Sequence, residues 1–348
     1  MKQVALLLTI LQFYLTAFSQ TLFFQSSQSI SSQQLASFYA SVNLENDIVL
    51  FNAPDYKLYA YDRSSGREKW VYPLGRKSDI PPFFAGGFVW ATNGDKKVIK
   101  LDPQTGKCLK TLEVSSIETQ PFIKDGMLFF TGLYDGGNII AYDLSGDSVK
   151  WKRFLAHGYS ITHYYLSDRI VANAEGNHWI ELNYDGTLTA RGCEWEEGAF
   201  PSELPCARQF NVLTHDGQEI KGKTAAAVGL DENSVPVIAT TEESTFILHD
   251  GVLHALGRKA KKKFSLQLNS LADTLVEDPD NPSTILKADE ENIYLLYNNH
   301  FISYNHRTKK LLKMLSLEQW VPHRVLFDKD SLWMVSKRDG ILYGIVVN

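Results

Sequence analysis

Three groups of residues have the types and spacing to do chemistry. Cys193 and Cys206 stand 13 positions apart. In an oxidising compartment they can close the loop between them as a disulfide, contributing roughly 2–4 kcal/mol. The alternative is two buried free thiols. Spacing does not choose between these, because pairing depends on Cβ geometry; the mass of the unreduced protein does. Cys108 falls in an apolar strand pattern and reads as a small buried residue. The acidic stretch 273–280, followed by Asp289, Glu290 and Glu291, offers many of the hard oxygens that Ca²⁺ takes six to eight at a time. Its spacing fits no EF-hand, and Pro279 and Pro282 describe an exposed, extended loop. No cofactor is expected, with Ca²⁺ as the alternative. Arg258, Lys259, Lys261, Lys262 and Lys263 put five cations in six positions. They make either a solvated hairpin tip or a contact for an anionic partner, such as an acidic glycan or a lipid headgroup.

Two irregular stretches carry aromatic and charged side chains together. One holds Trp195, Glu196 and Glu197; the other holds Trp320, His323 and Arg324. An aromatic face beside charge suits a peptide or a sugar ring, although a Trp of this kind also serves as packing. The histidines, among them His157, His163, His178, His249 and His254, form no HExxH and have no CxxC partner, so zinc is not expected. No GxSxG elbow is present. No catalytic residue and no metal ligand is assigned.

Composition narrows the field further. The 348 residues are 44% hydrophobic and 22% charged, which is globular composition. Lys and Arg number 35 against 40 for Asp and Glu, a net charge of -5, and a nucleic-acid partner is not expected. Lys2 precedes an apolar run over 4–18, with Ala17 and Ser19 at small-residue spacing. This reads as a signal peptide over 1–19 cleaved before Gln20. The run is short for a membrane span. No Cys follows the cleavage point, so a lipid anchor is not expected. The expected location is secreted or periplasmic.

The elements that must position these groups come from an internal repeat. Residues 57–70 read KLYAYDRSSGREKW, 98–110 read VIKLDPQTGKCLK and 139–151 read IIAYDLSGDSVKW. Each is an alternating apolar strand ending in Asp, a turn, and a second strand. Asp62, Asp102 and Asp143 are spaced by 40 and 41 residues. Weaker copies follow at 179–188, at 252–264 with Gly257 in the Asp place, and at 301–312 with Asn305 there. A faint one lies at 211–220 (NVLTHDGQEI), and 341–347 repeats the strand without its turn. An upstream strand precedes each turn, commonly after a pair such as Asp125-Gly126. A four-stranded antiparallel unit of about 40 residues is a propeller blade, which buries both faces only by stacking on neighbours around an axis. The residues after the signal, divided by about 41, give eight blades, with seven as the alternative if 211–220 is only a loop. Strands at 21–24 and 341–347 are expected to pair and close a single domain over 20–348, removing exposed sheet edges. The Asp side chain accepts from turn amides, Gly66 and Gly106 supply positive φ, and Trp70 and Trp151 plug adjacent blades.

The wording of these copies resembles the repeats of quinoprotein-like propellers, over three copies between 57 and 151. The resemblance implies an all-β propeller. The family's dehydrogenases hold pyrroloquinoline quinone and Ca²⁺, in a chain about twice as long, and many carry an adjacent Cys-Cys pair; this chain has none. Size, secretion and repeat resemble instead the non-enzymatic scaffold branch, like the outer-membrane-protein assembly propeller. The expected function is therefore a protein-binding or envelope-assembly scaffold, a monomer with a protein or peptide partner in the cell envelope. The alternatives are an extracytoplasmic enzyme with a funnel site and a carbohydrate-binding propeller taking a glycan.

Overall fold

The computed structural model describes residues 21–36, 39–75, 80–112, 120–132, 137–156, 162–166, 168–174, 178–191, 212–213, 219–220, 222–231, 234, 236–272, 275 and 283–347. The signal segment lies outside them.

Seven sheets of four antiparallel strands carry the fold. Blade 1 is Ser41–Glu45, Ile48–Asn52, Lys57–Asp62 and Glu68–Pro73. Blades 2, 3 and 4 run over 83–111, 122–156 and 162–191. Blades 5 and 6 run over 237–267 and 284–316. Blade 7 joins Pro322–Asp328, Ser331–Ser336 and Leu342–Val346 to Thr21–Gln25, its outermost strand. First strands of successive blades approach one another, 237–240 to 284–288, 284–288 to 322–328 and 322–328 to 41–45, so they lie nearest the axis. Tight hairpins join first to second strands where two residues take positive φ, as at Gly86 (59°) with Gly87 (80°) and at Asp125 (51°) with Gly126 (74°), and Asn298 (43°) with Asn299 (57°) does the same between the second and third strands of blade 6.

The burial pattern explains the strand sequences. The second strand of blade 1, IVLFN, is buried at every position because a neighbouring blade covers each face. The outer strand, EKWVYP, buries only Trp70. Each interface is an apolar cluster drawn from two blades. Ile48, Leu50 and Leu58 meet Val89, Ile99 and Leu101 between blades 1 and 2. Leu296 and Phe301 meet Leu332 and Ile345 between blades 6 and 7.

The faint copy between blades 4 and 5 departs from the eight-blade arithmetic. Among the described residues it supplies only a two-stranded sheet, Val212–Leu213 with Glu219–Ile220, and the helix Gly222–Val228. The helix follows from GKTAAAV, whose three alanines favour helix over strand. Ile220, Ala225 and Leu230 pack on Ile247 and Leu256 of blade 5, covering the face that a preceding blade would cover. Among the described residues the four-stranded blades number seven, and the eighth repeat shows a two-stranded piece and a helix in its place in the chain.

The chain ends meet in blade 7. Thr21 pairs with Val346 and Gln25 with Tyr343, with a bulge between Leu22 and Phe24. Ser26 fastens the seam twice: its amide donates to the Leu342 carbonyl and its Oγ accepts from the Leu342 amide, both at 3.0 Å. Phe24 lies against Tyr61 and Trp333 at 5.1 and 5.2 Å between ring centroids. Truncation of Phe24 to alanine removes the buried ring at the join of blades 7 and 1. The Phe24→Ala variant is expected to lose about 3 kcal/mol in urea unfolding. Deletion of 342–348 should lower Tm further still; an unchanged Tm would refute closure through this blade.

Candidate functional site

The turns between third and fourth strands set one end of the ring. Asp62 Oδ1 accepts from the amides of Ser64 and Ser65 at 3.1 and 2.8 Å, and from both hydroxyls. Asp102 does the same for Gln104 and Thr105, and Asp143 for Ser145 and Gly146. Asn305 takes the role in blade 6, accepting from the Thr308 amide at 2.7 Å. The carboxyls of Asp62, Asp102 and Asp143 are held below the usual range. For Asp62 and Asp102 the leading cause is a side-chain hydroxyl, from Ser64 and Thr105 respectively; for Asp143 it is the Gly146 amide.

The turns of blades 1 to 4 each also receive a side chain from the blade before them. Trp70 Nε1 donates to the Pro103 carbonyl at 2.8 Å, with its ring beneath Gly106, where a Cβ would come within 2.6 Å of it. Trp151 meets Gly186 in the same way, its Nε1 3.3 Å from the Tyr184 carbonyl. At the ring closure Phe24 takes the tryptophan's place, and a Cβ on Gly66 would come within 2.8 Å of it. Between blades 2 and 3 both partners change: Lys110 stands where the Trp would be and pairs with Asp147, which stands where the Gly would be. Lys110, followed by the Tyr142 hydroxyl, holds the Asp147 carboxyl low.

Of the loop residues singled out from sequence, Trp195, Glu196, Glu197, Cys193 and Cys206 lie outside the described residues. So does nearly all of the acidic stretch 273–280. Trp320 is half-buried in the cluster between blades 6 and 7, its ring 5.8 Å from Tyr343. His323 sits at a bulge in the axial strand of blade 7, between Pro322 and Arg324. Burial, then the charges of Arg324 and Lys337, push its pKa down to about 4, so it is neutral at pH 7. Arg324 is exposed beside it. Asp289 accepts from the amides of Glu291 and Asn292, and Glu290 pairs with Arg307, so these acids serve a turn and an ion pair. Among the described residues no group of three or more His, Cys, Asp or Glu is placed to hold a metal. No helix among them is long and apolar enough to cross a membrane.

The basic run forms the third-to-fourth-strand turn of blade 5, with a short 3₁₀ turn at Arg258–Ala260. A groove of about 790 Å³ opens beside it. Its walls are the start of the helix (Lys223, Thr224), the hairpin 241–245 (Glu242, Glu243) and the turn itself (Arg258, Lys259). A second hollow of about 330 Å³ shares Glu243 and Ser244 and continues to Arg307 and Lys309 on blade 6. Lys263 Nζ ties two segments of blade 5 together where the hollows meet, donating to the Glu243 carbonyl at 3.0 Å and to Ser244 Oγ at 2.7 Å. This trough was not foreseen as a site. Its signal lay in the repeat alignment, which puts 258–263 and 306–310 at the same turn of adjacent blades.

One motif match also went unread. Residues 217–224, GQEIKGKT, have the spacing of a phosphate-binding loop. Within them Glu219–Ile220 is a strand paired with Val212–Leu213, where a phosphate-wrapping loop would have to stand free. Among the described residues of the motif, 219–220 are thus tied into a hairpin and 222–224 begin the helix Gly222–Val228.

Comparison with known proteins matches the chain to the family described as outer membrane protein assembly factor BamB. The matches cover residues 24–116 and 54–245, more than half of the chain together. Among solved structures, BamB from Moraxella catarrhalis is 13% identical, with a TM-score of 0.42, covering 88% of this chain and 81% of its own. The computationally designed Ika8 protein is 14% identical with a TM-score of 0.63, covering 94% and 99%. For the Ika8 protein, at that identity, the likeness is one of fold. No curated protein matches.

The Asp turns generate a pH dependence. Their folded pKa values lie below the unfolded value near 3.9, so the stability they contribute is present above that value and is lost as pH falls through the folded value. The urea midpoint should therefore fall between pH 6 and pH 3. In Asp102→Asn the midpoint should be lower at pH 6 and change less between the two pH values. An equal change in variant and wild type would show that this turn carries no such linkage.

Proposed function

The chain belongs to the family of outer membrane protein assembly factor BamB, and on that premise we propose that it is a periplasmic scaffold serving the assembly of outer-membrane proteins. The observation that carries the reading is the family match over 24–245, laid on a rigid ring. The apolar middle strands are committed to inter-blade packing. What the ring offers a partner is its turns and outer strands, held in place by a scaffold that does not need to move. Exposed large apolar side chains sit on those outer strands: Leu109 on blade 2, Val149 and Phe154 on blade 3, Leu311 and Leu312 on blade 6. Such residues suit contact with protein rather than turnover of a small molecule.

Secretion belongs to the same proposal. The mature protein purified from the native envelope should begin at Gln20, read by N-terminal sequencing. A tagged copy, cross-linked in the native envelope, should recover an integral outer-membrane β-barrel protein, or an assembly protein bound to one, above an untagged control. Recovery of no such partner, with turnover of a small substrate by the purified protein, would overturn the scaffold reading.

A further inference from the structure

We propose that the trough across blades 5 and 6 is a binding site for an extended peptide segment rich in Asp or Glu. The inference stands apart from the assembly role, because it concerns what the isolated ring binds. Six cations line the two joined hollows: Lys223, Arg258, Lys259, Lys263, Arg307 and Lys309. Three carboxylates face them, Glu242, Glu243 and Glu290. Two of the three are already engaged, since Arg307 lies 3.4 Å from Glu290 and 3.9 Å from Glu243. The trough thus has a surplus of three positive charges on a chain whose net charge is -5. A cleft with a surplus of one sign of charge focuses field on ligands of the opposite sign, locally outweighing the mild acidity of the rest of the chain.

The arrangement of charge selects the class of anion. The cations come from separate segments, at 223, 258–259, 263 and 307–309, with carboxylates between them. A phosphate group is best held by donors converging on one point, often a bidentate Arg. Here Arg307 is occupied by carboxylates, and Glu219 and Ile220 within the segment of phosphate-loop spacing are paired in a strand. Single charges at intervals fit single carboxylates at intervals, as along an extended acidic peptide. A membrane surface is disfavoured because none of the exposed large apolar side chains lines the trough. A sugar ring is disfavoured because Phe264, half-buried against Tyr304, is the one aromatic side chain apart from His306 in the lining. The hydroxyls of Thr224, Thr241 and Thr245 add neutral donors for backbone carbonyls.

The test uses the full mature chain and a fluorescein-labelled oligoglutamate peptide, followed by fluorescence anisotropy. Wild type should bind it, more weakly as salt is raised, and should not bind oligolysine. The triple variant Lys223→Gln, Arg258→Gln, Lys309→Gln spares Lys263 and Arg307, whose bonds join the walls. It should keep the wild-type Tm and bind oligoglutamate about tenfold more weakly. Equal affinity in variant and wild type would overturn the site. So would wild type failing to bind oligoglutamate. Binding to phosphatidylglycerol vesicles without binding to the peptide would assign the patch to a membrane and overturn the peptide reading. If the triple variant loses Tm, the charge-reversing pair Lys223→Glu and Lys309→Glu, scored in the same assay, decides the matter.

Discussion

Four successive junctions, from blade 7 through blade 4, depend on one contact: a large side chain from the outer strand of one blade lying against the third-to-fourth-strand turn of the next. A blade alone has two apolar faces and cannot bury either. The contact fixes how far each blade is turned from its neighbour, so the clusters between them close without gaps. It sets two conditions on the turn. The backbone must pass so near an aromatic ring that no Cβ fits, as at Gly106 over Trp70 and Gly186 over Trp151. The turn must also hold its own shape, which the preceding Asp or Asn does by accepting from the amides that follow it.

The departures from that contact show what it is for. Where Lys110 replaces the tryptophan, Asp147 replaces the glycine, and the two side chains fill with an ion pair the space that ring and bare backbone fill elsewhere. The Asp147 residue keeps the turn's positive φ, at 52°. At the ring closure Phe24, on a strand from the far end of the chain, does the work of a tryptophan. Arg63, directly after Asp62 in the same turn, pairs with Asp328 on blade 7, adding a polar tie beside the aromatic one. Blades 5 and 6 meet through ring contacts, Phe246 with His306 and Phe264 with Tyr304, and the partial unit between blades 4 and 5 offers a short helix and a strand residue to the face of blade 5.

A ring built this way keeps its function on the periphery. The core residues are spent on packing, and the buried tyrosines Tyr59 and Tyr61 are held neutral by burial among other side chains; the second has its pKa pushed up to about 12. The turns are both rigid and exposed, so charge placed on them is charge held at fixed positions. In blades 5 and 6 that charge is positive and lies in adjacent turns, and the two make a single trough. A scaffold with such a feature can choose partners by their charge while its outer strands offer apolar contact.

The sequence alone determined the blade, because the blade is local. Strand, Asp turn and strand lie within fourteen residues, and the Asp bonds amides two and three places on. Period-two alternation and a step near 41 then require a ring. The same locality made the basic run legible as a hairpin tip. What crosses between blades was decided by tertiary structure. Nothing near Phe24 shows that it will lie on Gly66, and Lys110 and Asp147 look unremarkable until two blades are set side by side. The partial unit could be read either as an eighth blade or as a loop, since its strands are short and the alanines after them prefer a helix. Trp320 looked fit for a ligand, yet it packs with Tyr343 at an interface its own neighbours do not specify. The trough is the clearest case: its cations come from separate segments of the chain, and only the fixed angle between stacked blades brings them onto one wall.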